Sequence, residues 1–216
     1  MFLVGNFGEL LADYFYKHLP LYLALILLFV VGLGFGAVTT EKLSPLQKED
    51  LINYITNVYS SIIAEEQPIL QKVEIFYQSV MDNVIKTTGF IFLLGLTVVG
   101  APLILAIVFV RGFVLGFTVG FLVRETMVKG LVFSSVSILP HNILAVPAII
   151  LAAGAALSFS ATAFKTLMGV SKDSVYGQFI STTFLSVCSG ILLVFSALVE
   201  TYLTPVLVQL TNVLFG

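Results

Sequence analysis

The chain has 216 residues, of which 58% are hydrophobic and 10% charged. An ordinary soluble domain carries about 25% charge, so this chain has too little to wet its surface and must face lipid over much of it. A formal net charge of −2 excludes a strongly basic nucleic-acid binder, and a lone cysteine, Cys188, set in an apolar run, excludes an internal disulfide and reads as a small buried side chain.

Phe2, Leu3, Val4, Phe7, Leu10, Leu11, Tyr14 and Phe15 recur at helical spacing. Residues 1–18 therefore suit a cytoplasmic amphipathic helix lying in the membrane interface, with a frayed terminus as the alternative. Glu9 and Asp13 beside Lys17 and His18 argue against a cleaved leader, and the apolar run that follows reads as a retained anchor. That run, residues 19–38, is the first expected span, because about 20 apolar residues cross a hydrocarbon core. Gly32, Gly34 and Gly36 near its end fit either close approach of a second helix or merely a glycine-rich helix end.

Residues 39–86 are different in kind, with seven acidic residues and four lysines. Ser44-Pro45-Leu46-Gln47 has the form of a capping box with proline in the first turn. Leu51, Ile52, Ile55, Val58, Tyr59, Ile62 and Ile63 then fall on one helical face. Pro68 interrupts the pattern, and Ile69, Val73, Phe76, Tyr77, Val80 and Val84 form a second stripe. These features predict an amphipathic helical hairpin outside the membrane core, with Glu65-Glu66 solvated near its tip.

Residues 87–123 are too long for one crossing: at 1.5 Å per residue they would reach about 55 Å, against a core of about 30 Å. A corner is expected at Arg111-Gly112, where the run has its only charge, giving spans near 88–110 and 112–127, with Pro102 kinking the first. Residues 131–164 are again long, and a break is expected at Pro140-His141-Asn142, with Pro147 further on. The stretch Ala152-Ala153-Gly154-Ala155-Ala156 predicts a helix packed among others. Lys165, Lys172 and Asp173 mark a polar connector, residues 177–200 the last span, and 201–216 a tail that Pro205 starts or kinks. The fold class is an all-α integral membrane protein with about five transmembrane helices, some kinked or broken. Placing Lys17, Arg111, Lys165 and Lys172 on the cytoplasmic side puts the N-terminus inside and the hairpin and tail outside.

Ionisable groups inside a bilayer are functional candidates because they are costly to bury. His141, between two prolines, fits a structural role on backbone groups freed by Pro140, with a proton-relay role as the alternative. Glu200 ends the last span, where it sits at the interface, and this topology favours Arg124 over Arg111 as its partner. No nucleophile elbow, zinc-protease motif, Walker loop, metal-ligand cluster or cofactor site is present in the sequence, so no catalytic, cofactor or metal residue is expected. Broken helices resemble a transporter device but serve equally well in an inert scaffold. The glycine- and alanine-rich faces suit a homodimer.

Ser137-Ile138-Leu139-Pro140-His141-Asn142-Ile143-Leu144-Ala145-Val146-Pro147-Ala148 resembles the signature of the stage II sporulation protein M family. So do the segments 112–123, Gln47-Lys48-Glu49-Asp50-Leu51 and Glu200-Thr201-Tyr202-Leu203-Thr204-Pro205-Val206-Leu207. Many members carry P-H-G-x-x-E-x-P-A; Asn142 and Ala145 here replace its glycine and glutamate, which favours a scaffold over an ion-handling role. The resemblance implies a multi-pass membrane protein of the septal and mother-cell membrane. Its implied task is to anchor an engulfment complex during endospore formation. Its implied partners are membrane lipid and two peptidoglycan hydrolases, sporulation proteins D and P.

Overall fold

The computed structural model describes residues 2–63, 69–170 and 174–215, and every regular element among them is helical. The order is α1 (Phe2–Thr39), α2 (Pro45–Ile63), α3 (Ile69–Val80), α4 (Phe90–Gly95), α5 (Ala101–Ser137), α6 (Leu139–Leu167), α7 (Val175–Leu198) and α8 (Thr204–Phe215). Two π-helical segments, Met81–Gly89 and Val199–Leu203, join α3 to α4 and α7 to α8. Four described stretches are long and apolar enough to cross a membrane: Asp13–Lys42, Ala101–Glu125, Leu139–Leu167 and Val175–Gln209. Leu27, Phe35, Leu93, Leu103, Val110 and Val187 stay exposed on the bundle's outside, as side chains do whose solvent is lipid.

The chain start is not a separate interfacial helix. α1 runs unbroken through Pro20, and Tyr14 is bound into the bundle: its hydroxyl lies 2.7 Å from Ser158 Oγ, to which Gln178 Nε2 also donates at 2.7 Å.

α1 and α5 lie side by side and run in the same direction. Gly112 meets the Phe29 backbone, Gly116 the Leu33 backbone and Gly120 that of Ala37, and Arg124 pairs with Glu41 at 2.8 Å. Each step of four along one helix matches four along the other. Gly32 and Gly36 complete the seam from the α1 side: a Cβ on Gly36 would stand 2.0 Å from the Phe113 carbonyl oxygen, and one on Gly116 would stand 2.0 Å from that of Leu33. Backbone-to-backbone contact of this kind is how helices associate where no hydrophobic effect drives them. Gly34 meets nothing within 4 Å. The glycine faces that suit protomer pairing are thus filled within one chain, and a second copy would have to use another surface.

The corner expected at Arg111-Gly112 is not there, because α5 is helical from Ala101 to Ser137. Gly112 serves the seam, and Arg111 has polar partners in the bundle, so neither needs a loop. The chain turns earlier, at Thr97–Gly100, where Thr97 is extended and a 3-10 turn follows. Gly100 is required in this turn, since a Cβ there would lie 2.0 Å from Leu94 O. Pro102 therefore does not kink a span. It occupies the first turn of α5, where a missing N–H costs nothing. The second long apolar run breaks at Ile138, with Pro140 in the first turn of α6. The residues before this break are the end of α5, which runs to Ser137, and α6 continues through Pro147.

α6 is the central helix. Residues Ala152 to Ser160 are all buried, as its small side chains predict. It runs antiparallel to α7 along a row of hydroxyls: Thr182 Oγ1 donates to Ala155 O at 3.0 Å, Ser189 Oγ to Ala148 O at 2.7 Å and Ser196 Oγ to His141 O at 2.7 Å. Seven residues up α7 match seven down α6, the repeat of a coiled-coil seam. Leu25, Ile91, Ile104, Val108, Ile149 and Leu193 fill the core around it.

The capping box is formed. Gln47 N donates to Ser44 Oγ at 3.3 Å, and Ser44 N donates to Gln47 Oε1 at 3.0 Å. α2 rests against α8 and leaves Leu46, Ile52 and Tyr54 exposed. Pro68, Glu65-Glu66, Lys172 and Asp173 lie outside the described residues. The second arm of the expected hairpin does not stop at residue 86: α3, the π segment and α4 are continuous to Gly95, and Ile91 is fully buried in the core. This rod carries the chain back from the end of α1 to the start of α5.

Candidate functional site

A concentration of polar groups lies where both π segments meet α5 and the first turn of α6. A cavity of about 510 Å³ there is lined by Gln78, Ser79, Asp82, Asn83, Arg111, Thr118, His141, Asn142 and Glu200, with Ile75, Val114, Leu115 and Ile138 as its apolar walls. Arg111 stands about midway along the Ala101–Glu125 span. The site is therefore an ionisable cluster at depth, the kind of feature that bilayer energetics does not leave in place by neglect.

A relay of side chains links its cation to its anion. Arg111 Nη2 donates to Asn83 Oδ1, Asn83 Nδ2 to Ser79 Oγ at 3.4 Å, and Ser79 Oγ to Glu200 Oε2 at 2.6 Å. Ser79 and Asn83 are one helical turn apart, which places both on the same face of their rod. Arg111 and Glu200 thus answer each other's charge through two neutral residues, across the cavity, rather than by direct contact. Asp82 is neutralised separately by Lys86 at 2.6 Å. On the α6 side, Asn142 Nδ2 donates to Ile138 O at 2.8 Å and lies 2.9 Å from His141 Nε2, which accepts from it.

The π segments help to present these groups. Widening the helical turn leaves carbonyls misaligned, and threonines five residues on cover them: Thr87 donates to Asp82 O at 2.7 Å, Thr88 to Asn83 O at 3.3 Å and Thr204 to Val199 O at 3.3 Å. π-Helical turns recur at functional sites in helices, and here one carries Asn83 and the other Glu200. Pro205 follows at the start of α8, where its missing N–H is compatible with the widened turn before it.

Of the residues singled out in the sequence, Arg111, His141, Asn142 and Glu200 converge on this cavity. Gly112 belongs to the helix seam, Pro102, Pro140 and Pro205 to helix starts, and Pro147 to the interior of α6. Tyr202 is exposed. The partner expected for Glu200 is corrected: Arg124 pairs with Glu41, whereas Glu200 shares its cavity with Arg111. Arg111 consequently lies in a span and no longer counts among the loop cations.

Ser79, Asp82 and Asn83 were missed because a charged segment reads as a solvated surface. One signal was available: the apolar stripe Ile69, Val73, Phe76, Val80, Val84 runs into residues 87–95 with no turn residue between them, which marks one helix entering the bundle.

No curated protein matches the chain, and no solved structure does. The family model described as Stage II sporulation protein M matches residues 25–205, from the first span to the second π segment and beyond it to Pro205, so the chain belongs to that family and is a sporulation-related membrane protein.

Proposed function

We propose that the chain is a non-enzymatic scaffold of the septal and mother-cell membrane, recruiting and anchoring peptidoglycan hydrolases, sporulation proteins D and P, for engulfment. The observation that carries this reading is α2, which rests against α8 and leaves Leu46, Ile52 and Tyr54 uncovered. An exposed helix face with apolar and aromatic side chains offers anchors for a protein partner. Family membership supplies the sporulation context. The reading requires this surface to lie outside the cytoplasm. Near α2, Lys48 pairs with Glu125 at 3.5 Å and Arg124 with Glu41 at 2.8 Å, so this end of the bundle carries both signs of charge. Tyr54→Lys combined with Ile52→Lys should leave the protein inserted at its normal level and abolish co-purification of both hydrolases from sporulating cells. Unchanged co-purification would remove α2 as the docking surface.

The polar cavity beside His141 favours a second reading, a transporter or channel-like protein, since an inert bundle has no need of one. Ion or small-solute flux into proteoliposomes that disappears in His141→Ala would establish it, and absence of flux in the intact protein would end it.

A further inference from the structure

The scaffold reading leaves the cavity between α3 and α5 without a task. Its charges are arranged in a way that specifies a ligand. Asp82 already has Lys86 as a partner, so the two opposite charges left facing the space are Arg111 and Glu200, and they are joined to each other only through Asn83 and Ser79. A purely anionic ligand would meet Glu200, and a purely cationic one would meet Arg111. A ligand carrying both signs satisfies both walls at once: an anionic oxygen group accepts from Arg111, and a primary ammonium donates to the Glu200 oxygen that Ser79 does not use.

A second cavity argues for what the rest of the ligand is. It has a volume of about 460 Å³ and is lined mainly by apolar residues such as Leu33, Ala37, Val119, Val123 and Leu139, with Thr40 and Arg124 also in its wall. Leu115 lines both cavities, and the adjacent residues Ile138 and Leu139 line one each. A polar chamber therefore adjoins an apolar trough, both on spans whose outer faces are apolar. We propose that the paired cavities bind an amphiphile whose head is a zwitterion with a primary ammonium and an anionic phosphate, as in phosphatidylethanolamine, the head lying between Arg111 and Glu200 and an acyl chain along Leu115 and Leu139. The proposal goes beyond the scaffold reading and does not depend on it, since hydrolase partners take no part in the binding.

The test is native mass spectrometry of the full chain in detergent with phosphatidylethanolamine, phosphatidylcholine or phosphatidylglycerol added at equal concentration. Phosphatidylethanolamine should bind at least about tenfold more tightly than the other two, the loss expected when one charge-assisted hydrogen bond is missing. The trimethylammonium of phosphatidylcholine cannot donate to Glu200, and phosphatidylglycerol brings no cation. Equal retention of all three lipids by the unaltered protein overturns the proposal without reference to any variant. Glu200→Gln should erase the preference for phosphatidylethanolamine over phosphatidylcholine, and Arg111→Gln should weaken both, with Glu49→Gln as an unchanged control. A Glu200→Gln protein that remains folded and keeps the preference also overturns it. Free phosphoethanolamine separates the two sources of this chemistry. No displacement of the lipid supports the membrane source; displacement at matching concentration keeps the zwitterion site but overturns the acyl-chain half.

Discussion

At the scale of single residues, two kinds of contact hold the bundle, and they differ in size. The α1–α5 seam is backbone against backbone, so it has no flexible side chain that can move aside. Gly36→Leu or Gly116→Leu should destabilise the purified protein by about 3 kcal/mol or more, at the upper end of overpacking costs, read as a fall in thermal or denaturant midpoint in detergent. Gly34→Leu, with open space around it, should leave the midpoint unchanged. The polar relay is a smaller effect with a sharper consequence. Ser79→Ala removes a hydrogen bond to Glu200 and an acceptor for Asn83 Nδ2, and should cost about 1–3 kcal/mol, whereas Ser189→Ala in the α6–α7 row should cost about 0.6 kcal/mol. The reverse order would show that the relay is not formed. His141 was legible as a special position from its prolines, while Asn83 was not, because its importance comes from Arg111, 28 residues away.

At the scale of elements, proline was a sound guide to where helices begin and a poor guide to where they bend. Pro45, Pro102, Pro140 and Pro205 all fall in first turns, while Pro20 and Pro147 sit inside long helices. The failure at Arg111-Gly112 has a plain cause. A charge in an apolar run looks like a loop when its partners are unknown, and those partners sit on a rod that the sequence presents as a surface hairpin. Labelling separates the two arrangements. In a Cys188→Ser background, Val110→Cys should resist a membrane-impermeant maleimide, being on the lipid face of a continuous span, while Val99→Cys, exposed in the turn, should react. Equal reaction at both positions would restore the corner at Arg111-Gly112.

At the scale of the whole molecule, α1 and α5 run parallel, so the chain must cross back between them, and the rod from Ile69 to Gly95 makes that return. With Lys72, Glu74, Asp82 and Lys86 along it, this rod is more polar than the four long apolar stretches. The rod thus joins the four long apolar stretches as a fifth traverse of the bundle, and α2 and the Thr97–Gly100 turn lie at its opposite ends. In intact cells Tyr54→Cys should therefore label from outside and Val99→Cys only after permeabilisation; the opposite pattern would invert the molecule and with it the proposed docking surface.

Low charge and long apolar runs are properties of composition, and they determined by themselves that the chain is an all-α membrane protein. Local spacing likewise determined the capping box and the burial of the alanine-rich helix, because capping and small-residue packing depend on neighbours within a few positions. The quoted motifs carried the family. The corner at Thr97–Gly100, the parallel glycine seam and the meeting of Asn83, Arg111, His141 and Glu200 were decided only in the tertiary structure. Each depends on residues from different helices, and whether a buried charge is tolerable is settled by the partner that faces it rather than by the residues beside it in the chain.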